Sequence, residues 1–342
     1  MPDRLEAVID VAAFQRNVRE LSSLVAPSQV MVAVKANAYG HGMLPLAQAA
    51  VDAGATSLAV LEVPAALELR AAGITVPLFA WLHSRNTDFA AAAKARVDLG
   101  VSSSWQLDAI RRTRSGAHVH LKVDTGLSRN GATREDWPAL VISALEAQTA
   151  GDVTVAAIWS HLADASPEED AIALARLRNA VALADGLGLR PPLVHLAASS
   201  AGIREPQARL GLVRFGIAAY GISPFDDTDG RGLGLEPVMS LRSAVIEVTD
   251  AAARVAGGFG DGILPQAAGS AEVVVAGERR PVIAIDVDSM IVDAPGASVG
   301  DEVRVLGDGG PTAEEWAAWA GTIGDEVVAR VADRVPRLYP HQ

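Results

Sequence analysis

Eight short apolar runs, rich in β-branched residues, recur along the first two thirds of the chain, with longer segments of helical pattern between them. They are VMVAV ending at Val34, SLAVLEV at Val63, VPLFAWL at Leu82, VDLGV at Val101, HVHLKV at Val123, VTVAAIW at Trp159, LVHLA at Ala197 and LGLVRF at Phe215. Unbroken apolarity marks strands covered on both faces. The stretches between them, such as LPLAQAAVDAG and PAALELRAAG, supply the crossover helices that parallel strands require. Eight such units by residue 215 predict an α/β fold, a (β/α)8 barrel of the TIM type. The competing arrangement, an open doubly wound sheet, wants a G-x-G-x-x-G turn after its first strand, and none stands there.

The texture changes after about residue 235. Alternating runs LRSAVIEV, AEVVVAG, PVIAIDVDSMIVD and DEVRVLG are separated by turns such as GERR and PGAS, with a short helix expected at TAEEWAAWAG. The expected organisation is therefore a barrel over residues 1–234 and a mostly β domain over 235–342. No internal repeat beyond the barrel units stands out, and no low-complexity linker joins the halves.

Charge and cysteine content narrow the chemistry. A net charge of −12 offers no basic face to nucleic acid or anionic lipid, so the expected partners are a small molecule and another copy of the chain. The opening MPDRLEAVID lacks the apolar core of a signal peptide, and no uninterrupted apolar run reaches the roughly 18 residues of a membrane span. A cytoplasmic protein is expected. The absence of cysteine removes disulfides, thiolate metal sites and cysteine nucleophiles together.

A barrel carries its chemistry at the C-terminal ends of its strands. Lys35 follows the first run, Lys122 and Arg129 lie at the end of the fifth and in its loop KVDTGLSRNG, and His161 follows the sixth. Ser199 and Ser200 follow the seventh, Arg214 lies in the eighth, and the turn RFGIAAYG comes after it. Taken singly, Lys35 reads as a snorkelling strand-end lysine, His161 as a hydrogen-bonded rim histidine and Arg214 as the partner of a buried carboxylate. Together they form a rim of cations and hydroxyls suited to an anion, and phosphate is commonly held after the last two strands of such barrels. A lysine kept as a free amine by neighbouring cations can form a Schiff base. Beside a phosphate cradle, that points to pyridoxal 5'-phosphate. His41, His118, His120 and His195 read as structural, since none pairs with a carboxylate at metal-ligand spacing, and no metal is expected.

The motifs AVKANAYGHG, HLKVDTGLSRNG, SHLADAS, HLAASSAG, VRFGIAAYGISP, GFGDG and the late VPRLY resemble, in order, those of the fold-type III alanine racemases. The resemblance implies a racemase interconverting L- and D-alanine. In it, Lys35 carries the cofactor as an internal aldimine and serves as one catalytic base, while Tyr39, Ser199, Gly216 and Ile217 hold the phosphate. It places His161 beside the cofactor ring and Arg214 opposite the pyridine nitrogen. A fixed cation there keeps that nitrogen unprotonated and the electron sink weak. Arg129 contacts the cofactor oxygen and the substrate carboxylate, oriented by Lys122, a position the family often carbamylates. Family members are homodimers whose active sites borrow residues from the partner's β domain.

The chain also departs from the family pattern. Inversion takes a proton from one face and returns one to the other, and the family's second base is a tyrosine between the segments matching SLRSAVIEV and GFGDG. Only TDAAARVAG separates them here, without a tyrosine, and the chain's three tyrosines are Tyr39, Tyr220 and Tyr339. Asp325 stands where the family has an entrance tyrosine, Ala198 replaces an asparagine, and DVD retains Asp288 while adding Asp286. Three outcomes follow. One is a racemase with Asp286 or a positioned water as second base. Another is a pyridoxal-phosphate enzyme of different outcome, such as a decarboxylase, an aldolase or a single-base epimerase. The third is a paralogue that binds the cofactor without turnover.

Overall fold

The computed structural model describes residues 4–249 and 252–340. Asp250 and Ala251, in the stretch lacking the family's second tyrosine, lie outside the described residues. The chain divides into two compact units, one of Leu21–Lys35 and Gly54–Gly216, the other of Met1–Glu20, Ala36–Ala53 and Ile217–Gln342.

The first strand, β1 (Glu6–Ile9), belongs to the second unit. The other unit is a closed barrel of eight parallel strands: β2 (Gln29–Ala33), β3 (Ser57–Val60), β4 (Leu78–Ala80), β5 (Val97–Val101), β6 (Ala117–Lys122), β7 (Val153–Trp159), β8 (Leu193–His195) and β9 (Leu212–Phe215). Each overlaps one of the eight apolar runs, so the expected barrel is the observed one. Closure comes from β2 against β9, in register from Gln29↔Leu212 to Val32↔Phe215. All four residues of β3 are buried, as a strand covered on both faces requires. The covering helices carry local start signals. In helix Pro167–Gly186 the Ser166 side chain accepts from the Glu169 amide at 3.2 Å, proline opens the first turn, and Glu168, Glu169 and Asp170 complement the helix dipole.

The second unit contains β10 (Met239–Val248), β11 (Ala252–Ala256), β12 (Glu272–Val275), β13 (Glu278–Ile285), β14 (Ser289–Asp293), β15 (Glu302–Leu306) and β16 (Arg337–Leu338). With β1 they form a sheet in the order β11-β14-β13-β12-β15-β10-β1-β16, antiparallel except for the β1–β16 pair. The short helix is present at Ala313–Ala320, closed at its start by reciprocal Thr312–Glu315 hydrogen bonds of 2.8 and 3.1 Å.

Two local expectations change. PVIAIDVDSMIVD is not one strand: it turns at Asp286–Asp288, with Ile285 paired to Met290 and the Asp286 amide donating to the Ser289 carbonyl at 2.8 Å. Asp-x-Asp-Ser is turn chemistry inside an apolar run. The expected GERR turn lies one residue earlier, at Ala276 and Gly277, both with positive φ (50° and 91°), as a two-residue hairpin requires, so Glu278–Arg280 are strand. Among the described residues, no helix is long and apolar enough to cross a membrane.

Candidate functional site

The barrel brings together at one end the cations that its sequence places after the strands. β2 ends in the hydrogen bond from the Val34 amide to the Ala59 carbonyl at 2.9 Å, and Lys35 is the next residue. Lys122 closes β6. Its loop is folded back by Val123 against Ala132, and Asp124 accepts from the Gly126 and Ser128 amides at 3.0 Å each. The Lys122 ammonium donates to Asn130 Oδ1 and lies 4.6 Å from the centre of the Trp159 ring. The Arg214 guanidinium lies 5.2 Å from that ring's centre.

The electrostatic consequence is clearest at His161. Burial, with Arg214, Lys122, Arg129 and Lys35 nearby, holds its pKa down to about 2, so the imidazole is neutral and surrounded by positive charge. Lys122 is itself depressed to about 7, by burial first and then by Arg214 and Arg129. Arg214 falls to about 9 through burial, with Asp164 pulling the other way. Two guanidinium groups and two lysine amines around a neutral ring suit an anion.

Arg214 is held by neutral acceptors. Its guanidinium donates to the Ser160 and Leu196 carbonyls (3.0 and 2.8 Å), to His161 Nδ1 (3.1 Å) and to His195 Nδ1 (2.8 Å). Because arginine only donates, His195 Nδ1 must accept, which leaves the proton on Nε2, 3.1 Å from His120 Nδ1. The far side of His120 then faces Asp98 at 3.4 Å. Trp159 stacks on His195 and Phe79 on His120, with ring centres 5.5 and 4.5 Å apart. His120 and His195, structural by sequence, have the structural task of holding the central arginine. The available signal was the alternation in HVHLKV: His120 and Lys122 are two residues apart and share a strand face.

Ser199 is buried at the start of helix Ser199–Arg204, and its Oγ accepts from the Gly216 amide at 3.1 Å. Ser200 turns away to Asp164 at 2.5 Å.

The other sequence-identified residues belong to the second unit. After Lys35 the backbone makes a left-handed turn: Ala36, Asn37, Ala38 and Tyr39 all have φ between 50° and 53°. For Ala36, Ala38 and Tyr39 that conformation costs about 1–2 kcal/mol each. Tyr39 is buried, and burial together with Asp325 raises its phenol pKa. Ile217 opens a short 3-10 turn that ends at Tyr220, whose ring lies 5.0 Å from that of Tyr39. Asp286 and Asp288 are exposed at the β13–β14 turn; Asp286 is 3.6 Å from Arg254, and its carbonyl accepts from the Phe259 amide of GFGDG at 2.9 Å. No group of histidines and carboxylates able to hold a metal occurs among the described residues.

Known proteins share this organisation. Residues 9–224 match the family model described as alanine racemase, N-terminal domain, and residues 238–339 match alanine racemase, C-terminal domain. A curated alanine racemase of Frankia casuarinae is 40% identical, covering 97% of this chain and 95% of its own. That of Thermobifida fusca is 39% identical, over 98% and 97%. The crystal structure of alanine racemase from Streptomyces lavendulae superposes with a TM-score of 0.96 at 37% identity, covering 100% of this chain and 98% of that one. The Frankia comparison spans 371 positions against the 342 residues here, so the relative carries segments that this chain lacks. Matched almost end to end in sequence, and over its whole length in fold, the chain belongs to the alanine racemase family.

Proposed function

We propose that this chain is a pyridoxal-phosphate-dependent racemase of alanine, acting in the cytoplasm as a homodimer. The observation that carries the reading is the convergence of Lys35, Lys122, Arg129 and Arg214 on the neutral His161. That setting, with the Ser199 hydroxyl beside the Gly216 amide, fits a cofactor bearing a phosphate and a phenolate oxygen. When bound, pyridoxal phosphate supplies an electron sink that acidifies the α-proton of an amino acid.

The protein's own residues do the rest. Lys35 holds the cofactor and exchanges the α-proton on its own face. Arg129 binds the substrate carboxylate, and Lys122, tied to Asn130, braces the loop that carries Arg129. Ser199 and Gly216 would hold the phosphate, with Ile217 and Tyr39 as its further candidate ligands. His161 would lie beside the ring, and Arg214, fixed by neutral acceptors, would keep the ring nitrogen free of a proton. For the opposite face we assign the acid or base to Asp286, with Asp288 in a supporting role. Asp286→Asn should slow inversion while leaving exchange on the Lys35 face intact. Equal loss of both would assign it a structural role.

The deciding experiment is chiral detection of D-alanine formed from L-alanine by protein saturated with pyridoxal phosphate, with Lys35→Ala as control. Lys35-dependent D-alanine supports racemisation. A folded, cofactor-loaded protein that forms none overturns it.

A second reading is favoured by the connection between β10 and β11, which is only residues 249–251 and holds no tyrosine. With that segment short, the site exchanges the α-proton on one face only. Exchange of the α-proton in deuterated water without inversion would select this reading.

A further inference from the structure

Every carbonyl of the strained turn after Lys35 has a donor, and those of the buried residues from Ala38 to His41 would be costly to leave unpaired. Four are met locally: Ala36 by the Gly40 amide (2.9 Å), Asn37 by the Gly42 amide (2.9 Å), Ala38 by the His41 amide (3.0 Å) and Tyr39 by His41 Nδ1 (2.9 Å). The last two are met from the other end of the sequence. Arg337 Nε donates to the Gly40 carbonyl at 3.0 Å, and the Tyr339 hydroxyl donates to the His41 carbonyl at 2.9 Å.

The fit is close. A Cβ on Gly40 would lie 2.3 Å from the Val328 carbonyl oxygen, and one on Gly42 would lie 1.9 Å from the Tyr339 hydroxyl. Arg337 is itself tied down by bonds to the Val331, Ala332 and Val335 carbonyls, at 2.6, 2.6 and 2.8 Å. Nothing in Ala36, Ala38 or Tyr39 favours a left-handed conformation. An over-determined setting is what such a turn needs in order to persist.

We propose that Arg337 and Tyr339 are positioning residues that lock the left-handed turn, and so set Lys35 and Tyr39 for the cofactor. The inference rests on the reading of Lys35 as the cofactor lysine. Releasing the lock lets residues 36–39 relax toward ordinary backbone, which moves the phenol of Tyr39 and the direction in which the chain leaves Lys35.

The test uses Tyr339→Phe, which removes one donor and keeps the ring, and Arg337→Met, each alone and combined with Ala36→Gly. Affinity for pyridoxal phosphate is read from tryptophan fluorescence. Exchange of the Gly40 and Gly42 amides, measured without cofactor, is compared with that of Val34. The expected results are a threefold to tenfold weaker Kd for Tyr339→Phe, a larger loss for Arg337→Met, and faster exchange at Gly40 and Gly42 than at Val34 in both. Ala36→Gly should change the parent's Kd less than twofold yet recover most of the Arg337→Met loss, because glycine adopts positive φ without penalty. Wild-type Kd and exchange in Tyr339→Phe overturn the proposal, whether or not Arg337→Met folds. So does a glycine effect equal in both backgrounds. If borohydride fixes no cofactor on Lys35 of the parent protein, the reading of Lys35 fails, while amide exchange still decides whether the lock exists.

Discussion

Lys122 shows how one side chain's charge state depends on what surrounds it. The sequence displays a lysine at the end of an apolar run, but its pKa of about 7 comes from burial and from Arg214 and Arg129, which the fold brings to it. The amine is therefore about half protonated at neutral pH and is a nucleophile under conditions where exposed lysines are not. Competitive acylation followed by peptide mass spectrometry should give Lys122 a reactivity that inflects near pH 7. Arg214→Leu should move the inflection upward by removing the stronger cationic influence, though burial, the larger cause, remains. An inflection near 10 would mean that the ammonium is solvated. The same amine is suited to capture carbon dioxide, and a carbamate resonance from labelled bicarbonate should disappear in Lys122→Gln.

At the scale of elements, β6, β8 and β9 act as one device: they carry His120, His195 and Arg214 into a chain of hydrogen bonds inside the barrel. Replacing His195 by Phe keeps the ring and its stacking on Trp159 but leaves an Arg214 N–H and His120 Nδ1 without partners. At about 1–3 kcal/mol for each buried unpaired group, His195→Phe should destabilise the protein by about 3 kcal/mol in urea unfolding. His118 lies on the same strand, but its side chain is 58% exposed, and His118→Gln should cost less than about 0.5 kcal/mol. Equal losses in the two variants would show that the relay does not hold Arg214. The strands themselves were legible in the sequence because continuous apolarity is a local property. The relay was less so, because a histidine in an apolar run looks the same whether or not an arginine from a strand 19 residues away in sequence donates to it. The hairpin at Asp286 was hidden for a related reason: two turn residues inside a long β-rich run do not announce which side of the run they end.

For the whole molecule, the barrel and the β-rich second half could be read in advance, while the pairing of the two chain ends could not. β1 lies between β10 and β16, a register that no local pattern encodes, and the left-handed turn after Lys35 depends on residues almost three hundred positions away. The folded chain also buries histidines that must stay neutral. His41 and His83 are each lowered by burial to about 4, and His161 to about 2, against an unfolded value near 6.5. Since the folded values are the lower ones, protons bind the unfolded chain first as pH falls. The stability these groups contribute is complete above about pH 6.5 and drains as pH drops toward 4. For His41 and His83 the loss is on the order of 3 kcal/mol each, a large part of the roughly 5–15 kcal/mol by which such proteins are stable. The urea midpoint of the cofactor-free protein should therefore fall steeply between pH 6.5 and 4.5. His41→Asn, whose amide can still donate to the Ala38 and Tyr39 carbonyls, should flatten that slope without abolishing it, because His83 and His161 remain. A midpoint independent of pH across this window would mean that the histidines are hydrated in the folded state, and the account of how the turn after Lys35 is buried would have to be abandoned.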